Sequence, residues 1–255
     1  MALKVLVNTA WQQAAALFVT DLADAATSDS AQLANVVGGP LHLAWAQTGT
    51  SDRRIVYVNK SGGITVDYLV MVNAAPYLGH GVDVRSWATY TGASTAISSS
   101  ATFAGTLIGE KTKDYVLSLG AQSNKQAVGV DLYAGTGGNY AKTVNKIFFG
   151  QAFSLTYPNE IVQQAAWGVT TIKRQAYHFS EALSIKLEPL TKAEWSSLQG
   201  LYRIKEEPFF LYDPEATRLL DGLWYCVTQS LNAEPLGNDY YRVNWTVLRL
   251  RYWAA

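Results

Sequence analysis

Three histidines, one cysteine and scattered carboxylates are the side chains of this 255-residue chain that could carry chemistry. His42, His80 and His178 lie far apart and share no His-x-His or His-x-x-x-His spacing, so they do not read as a metal site. Cys226 stands alone, which excludes an internal disulfide and a cysteine-based zinc site. In "LWYCVT" it alternates between Trp224 and Thr228 and reads as a packed thiol. The "GTGGNY" stretch at 135–140 lacks the Lys-Ser/Thr of a phosphate-binding loop and reads as a hairpin turn. Asp24 and Asp29 in "DAATSDSAQ" lack calcium-loop spacing. No G-x-S-x-G is present, and Glu206 and Glu207 before Pro208 read as a solvated turn. No catalysis, cofactor or metal is therefore expected.

One acid sits in a marked context. In "LTKAEWSSLQG" Glu194 precedes Trp195, where a general acid could be shielded from water. The same residues satisfy a capping box: Thr191 can accept from the Glu194 N–H while the Glu194 carboxylate returns to the Thr191 N–H. Leu190 before the cap and Trp195 at the fourth helical position form a hydrophobic staple, and Gly200 marks the helix end. The spacing predicts a helix over 191–201 with Trp195, Leu198 and Leu201 on its docking face, and a structural role for Thr191, Glu194, Trp195 and Leu198. Four aromatics near glycine turns, Tyr77, Trp87, Tyr90 and Tyr140, are candidate contacts for a protein partner or a glycan. Core packing is the favoured alternative for Trp87.

The elements that must position these residues are strands. "GITVDYLVMVN" places Ile64, Val66, Tyr68, Val70 and Val72 in one row and Leu69 and Met71 in the other, so its second half should be buried on both faces. Val82 and Val84 alternate with Asp83 and Arg85. Leu117 and Leu119, then Val128, Val130 and Leu132, then Ile147 and Phe149 continue the period of two. Turn-rich segments separate them, the rhythm of a β-sandwich. The character changes near 153–160, which places the expected boundary between a domain over 1–153 and a smaller one over 154–255. In the second, Leu183, Ile185 and Leu187 form one face of a strand. In the last strand, the row Tyr241, Val243, Trp245, Val247 gives way to Leu248 and Leu250, predicting a bulge near 247–248.

Lys plus Arg equals Asp plus Glu at 20 each, which invites neither nucleic acid nor an anionic membrane. No uninterrupted apolar run is long enough to span a bilayer, and the opening "MALKVLVNTAW" lacks the form of a secretory signal. Only 16% of residues are charged, against 12% aromatic with 8 Trp and 15 Tyr. Such a balance suits a subunit with much of its surface covered by partners, and the aromatic, charge-poor strands of 222–253 are the expected contact.

The order "LT-x-A-E-W", short helix, "P-F-F-L-x-D", then two strands resembles minor tail and baseplate (distal-tail-like) proteins of tailed bacteriophages. The matching residues are Thr191, Glu194, Trp195, Pro208, Phe209, Phe210 and Asp213, within about residues 165–255. More loosely, "VDYLVMVNAAPYLGHGVDVRS" and "VNKIFFG" resemble galactose-binding-like (discoidin-type, jelly-roll) sandwiches. The resemblance implies a mainly β virion protein, made in the host bacterial cytoplasm. It would be joined to copies of itself and to other tail proteins, with the short helix as a strut. The alternative is a carbohydrate-binding module that takes a host-surface glycan. A glycan-degrading enzyme ranks last, for want of a carboxylate pair.

Overall fold

The computed structural model describes residues 3–23, 25, 27, 31–38, 43–47, 49–74, 81–91, 95–102, 113–133, 143–155, 158–172, 175–200, 207–214 and 222–250. His42, Tyr77, His80, Tyr140, Asp24, Asp29, Glu206, Leu201 and the 135–140 turn lie outside them. The chain forms two compact units, one of residues 8–37 and 43–151, the other of 1–7, 38–42 and 152–255. The fold is mainly β, with strands β1 (Leu3–Leu6), β2 (Ala16–Thr20), β3 (Trp45–Ala46), β4 (Arg53–Val58), β5 (Ile64–Ala74), β6 (Gly81–Trp87), β7 (Thr95–Thr102), β8 (Lys113–Lys125), β9 (Ala127–Leu132), β10 (Thr143–Val144), β11 (Lys146–Gly150) and β12 (Ala152–Leu155). They continue with β13 (Pro158–Ile172), β14 (Gln175–Thr191), β15 (Phe209–Tyr212), β16 (Leu223–Gly237) and β17 (Tyr240–Leu250). Among the described residues there are also two α-helices, α1 (Thr9–Gln13) and α2 (Lys192–Gly200), and a 3-10 turn at Leu33–Val36. No helix among the described residues is long and apolar enough to cross a membrane.

The first unit is a β-sandwich. A five-stranded sheet, β2-β4-β9-β6-β7, and a three-stranded sheet, β11-β5-β8, share one core. The first sheet supplies Val19, Ile55, Tyr57, Val82, Val84, Val128, Val130 and Leu132; the second supplies Ile64, Val66, Leu69, Met71, Ile147 and Phe149. The expected even-numbered row of β5 therefore breaks after Val66. The ladder with β8 shifts register between Val66 and Tyr68, and the core row passes to Leu69 and Met71. Val70 and Val72 are buried on the other face, so the second half of β5 is covered on both sides. The Tyr57 ring meets Phe149 edge-on at 5.5 Å, and its hydroxyl donates to the Ile147 carbonyl.

Lys146 opens β11 with a side chain sealed from solvent. Its Nζ donates to the carbonyls of Asn35 at 2.6 Å and Leu43 at 3.3 Å, while Asn35 Nδ2 donates to the Ala44 carbonyl at 2.9 Å. One amine thus ties the Leu33–Val36 turn and the entry to β3 onto the sheet.

The second unit is a single seven-stranded sheet, β12-β1-β15-β16-β17-β14-β13. Leu3 to Leu6 pair with β12 on one side and β15 on the other. The first strand of the chain thus belongs to this sheet and not to the sandwich, contrary to a boundary drawn only at 153/154. One core takes Leu3, Val5, Leu155, Phe209 and Leu211 from one end and Leu183, Ile185, Leu187, Val243, Trp245 and Val247 from the other, so the sheet curls around it. Phe209 stacks on Trp245 at 5.4 Å within that core. Leu248 and Leu250 are buried on the opposite face by simple alternation. The expected bulge in this last strand lies instead in its neighbours: β16 shifts register between Thr228 and Ser230, and β14 between Phe179 and Glu181.

Helix α2 closes the curl. The Thr191 N–H and hydroxyl both donate to Glu194 Oε2 at 2.8 Å, and the Glu194 N–H donates to Thr191 Oγ1 at 3.3 Å. Trp195 is half-buried and packs beside Tyr241 with ring centroids 6.2 Å apart, whereas Leu198 is sealed in the core. The Lys192 N–H donates to the Asp239 carbonyl at 2.8 Å, tying the helix start to the turn between β16 and β17. Asn238 and Asp239 in that turn have φ of 51° and 62°, the left-handed pair of a type I′ hairpin.

Two expectations follow. Thr191→Ala should cost about 1 kcal/mol in a denaturant melt, and Leu198→Ala about 2–5 kcal/mol, because it empties a fully enclosed site. A larger loss from the cap than from Leu198 would show that docking does not hold α2. In the sandwich, burial pulls the Lys146 amine from 10.5 down to about 7. Between those values the unfolded chain binds more protons than the folded one, so stability should rise with pH across that window. Melts from pH 7 to 10 should show this rise in the wild type and a flatter profile in Lys146→Met. Equal slopes in the two proteins would mean that the buried amine holds its proton throughout.

Candidate functional site

The residues singled out from the sequence do not converge. Thr191, Glu194, Trp195 and Leu198 are used in capping and docking α2. Trp87 is fully buried, and Tyr90 is half-buried with its ring edge-on to Trp87 at 5.7 Å. Trp87 is therefore a packing residue, in a small cluster with Val56, Val58 and Ala127 on the outer face of the five-stranded sheet. Gly129 makes room for it: a Cβ there would lie 3.2 Å from the Trp87 ring and 2.9 Å from the Ile55 carbonyl oxygen. His178 is exposed on β14, and Cys226 is buried with its thiol pushed up by desolvation. Among the described residues no three His, Cys, Asp or Glu side chains could hold a metal together.

The same outer face carries a cluster that the sequence left as ordinary alternation. Asp131 is fully buried and accepts from Arg54 Nε at 2.6 Å and Nη2 at 3.0 Å, and from Arg85 Nε. Arg54 also lies over the Trp87 ring, 5.2 Å from its centroid. Arg85 reaches Asp83 at 3.3 Å, and the Tyr133 hydroxyl donates to the same Asp83 oxygen at 2.5 Å. Burial and then the hydrogen bond to Asp83 hold the Tyr133 hydroxyl above its ordinary range. The cross-strand pairings Arg54 with Asp131 and Asp83 with Asp131 are what bring these groups together. The pairing is invisible without strand order. The cluster offers donors and acceptors, with no nucleophile placed beside a base.

The second candidate region is the outer edge of the seven-stranded sheet. Among the described residues strand β13 pairs with β14 alone, leaving its other side without a partner strand. From Ile161 to Ile172 it carries neither a charge nor a proline. Trp167 is 66% exposed and Val169 57%. The strand shifts register between Ala165 and Gly168, next to Trp167. A Cβ on Gly168 would lie 2.7 Å from the Phe179 ring, so that ring takes the place of the missing side chain. By contrast β16, whose outer side is unpaired beyond Cys226, carries Glu234 and Pro235, both features that discourage further pairing. Of the contact expected in 222–253, Trp224, Tyr225 and Trp245 are buried, while Leu236 and Tyr240 near the β16–β17 turn are exposed. The overlooked signal was the uncharged run "IVQQAAWGVTTI".

A crevice of about 20 Å³ opens in the same unit, walled by Phe153, Leu155, Leu187, Pro189 and Leu190 and edged by Ser154 and Glu194. Small-molecule pockets span about 300–1,000 Å³, so this space has room for about one water and not for a ligand.

No family model matches the chain, and no curated protein matches it. Among solved structures, chitosan-binding module 1 of a chitosanase/glucanase from Paenibacillus sp. IK-5 is similar at 12% identity and a TM-score of 0.40, over 57% of this chain and 98% of that one. The CBM32 of AlyQ in complex with 4,5-unsaturated mannuronic acid is similar at 16% identity and a TM-score of 0.36, over 53% and 94%. Truncated AlyQ, with CBM32 and alginate lyase domains, is similar at 12% and 0.39, over 94% of this chain and 63% of that one. Likeness at this level assigns no ligand or activity to the present chain.

Proposed function

We propose that this protein is a structural subunit that works through protein contacts, as a minor tail or baseplate component of a tailed phage, without catalysis. The observation that carries this reading is the β13 edge: a strand paired on one side, whose Ile161–Ile172 stretch has no charge and no proline and exposes Val162, Trp167 and Val169. A monomer that stays single protects such an edge; among the described residues no strand covers this one. The tail assignment rests on the sequence resemblance, whose motif order the elements follow. Strand β14 ends in Leu190 and Thr191, a capped helix carries Glu194 and Trp195, β15 opens with Phe209 and Phe210, and the β16–β17 hairpin follows.

A second reading rests on the sandwich. Arg85, Asp83 and Tyr133 are partly exposed and held in fixed positions by buried Asp131. Guanidinium, carboxylate and phenol so arranged present the donors and acceptors that sugar hydroxyls take, and on this reading the unit binds a host-surface glycan. Binding to a glycan array that Asp83→Asn abolishes would favour it. Full retention by that variant would place any glycan elsewhere.

For the assembly reading, Val169→Lys puts a charge on the open edge at an exposed position. It should leave the melt within about 0.5 kcal/mol of wild type, while light scattering shows self-association weakened at least tenfold. A wild-type chain that stays monomeric at high concentration and labels no tail neighbour in virions would sink the proposal.

A further inference from the structure

The assembly reading does not say what lies along the β13 edge, and the sequence of that edge is close to its own mirror image. Outward from Trp167, "VQQAAWGVTTI" gives Ala166 and Gly168, Ala165 and Val169, Gln164 and Thr170, Gln163 and Thr171, then Val162 and Ile172. Small or apolar residues are matched with their kind, and polar ones with polar. The ends carry opposite charges, Glu160 before the stretch and Arg174 equally far beyond Trp167 on the other side. We infer that β13 pairs antiparallel with β13 of a second copy, about a two-fold axis at Trp167. The inference rests on the assembly reading and adds the partner and the register.

Strand addition at an open sheet edge joins chains through main-chain hydrogen bonds, with the side chains choosing the partner. In an antiparallel pair, residues directly opposite one another share a face and meet side by side. A two-fold at Trp167 sets positions equally far before and after it opposite one another, so every matched pair forms twice, once on each side of the axis. Moving the axis to Ala166 would set Gln163 against Val169 and Gln164 against Gly168. Moving it to Gly168 would set Gln164 against Ile172 and Ala165 against Thr171. A parallel pairing in register would set Glu160 beside Glu160, and like charges repel. Side-chain match and charge complementarity thus select a second copy of this strand, running the opposite way.

The backbone permits this register. Ile161 packs against the inner core, while Gly168 faces Phe179, whose partner Leu250 is buried on the outer face. Alternation therefore holds from Ile161 to Gly168 across the register shift, and the matched residues, an even number of positions apart, lie on one face. The shift itself, between Ala165 and Gly168, falls at the axis, where each copy meets the same irregularity in the other. A regular strand would not match it. Val162 and Gln164 are exposed on one face of the edge, and Gln163, Ala165 and Val169 on the other. Trp167 marks the centre, and the pairs on either side carry the contact.

The test uses the full-length chain, with light scattering for association, melts to show that each variant folds, and oxidation by copper phenanthroline. The native Cys226 is buried, so a cysteine placed on the edge is the reactive thiol. Ala165→Cys mixed with Val169→Cys should give a disulfide-linked dimer, because the two positions fall opposite one another with Cα atoms about 4.5–5.5 Å apart, within disulfide reach. Either variant alone should give at least tenfold less, since its two cysteines lie four positions apart, about 13 Å. Gln163→Cys mixed with Thr171→Cys should link in the same way. If wild type associates but neither mixture links, or a single variant links to itself as well as the mixture does, the inference falls while the assembly reading stands. A wild-type chain that stays monomeric removes both.

Discussion

A sheet whose two ends must share one core has to curl, and the curl needs something to close it. In the second unit the closing piece is α2. Its nine residues are too few to hold a helix in water, so the cap at Thr191 and the enclosed Leu198 work together: the cap defines where the helix starts, and the leucine fixes which face turns inward. The link from Lys192 to the β16–β17 turn then holds the helix to the far end of the same ribbon. The acid that looked most like chemistry in the sequence is therefore part of the closure. Its carboxylate orients the strand-to-helix corner, and the crevice beside it is a by-product of that corner.

Local pattern made much of this legible. The alternation of Leu183, Ile185 and Leu187, of Val128, Val130 and Leu132, and of Val243, Trp245 and Val247 reports burial directly, because side chains on a strand alternate between faces. The capping box was readable because its three hydrogen bonds span three residues. What stayed hidden depends on strand order. Nothing within "LKVL" says that it pairs with residues 152–155 and 210–212, and nothing near Trp87 says that Gly129 leaves it a seat. Composition was ambiguous in one place: of the aromatics of 222–253, Trp224 and Trp245 fill the interior of the curled sheet while Tyr240 stays exposed. Trp167, more exposed than these, lies in a stretch whose missing charges were a second signal.

Both units spend polar groups in their interiors, in different ways. In the sandwich, Lys146 is held by carbonyls of segments distant in sequence, and Asp131 is shared by two arginines. Such arrangements add little net stability over apolar packing, but breaking one partner away costs about 3–5 kcal/mol for a buried ion pair. They select one arrangement of the segments they join. In the curled sheet the charged groups stay nearer the rim. Glu188 takes both Arg242 nitrogens at 2.8 Å, and these hydrogen bonds, with one from Lys186, bring its carboxyl down to about 2. That network runs across β14 and β17, leaving the Ile161–Ile172 stretch of β13 beyond it uncharged.

The position of β1 has a consequence in time. Its four residues are made early, yet their partners in β12 and β15 emerge about 150 and 200 residues later. At about 5–20 residues per second, the ribosome delivers the last of these partners roughly 10–40 s after β1. The sandwich, all of whose strands lie between, has its full sequence before the curled sheet has its second half. During that interval the apolar strand Leu3–Leu6 has no sheet to join, and the curled sheet cannot be complete until β17 has emerged. On the proposed assembly reading, delay of this kind separates folding from assembly: a half-made chain has no finished sheet on which a neighbour could polymerise.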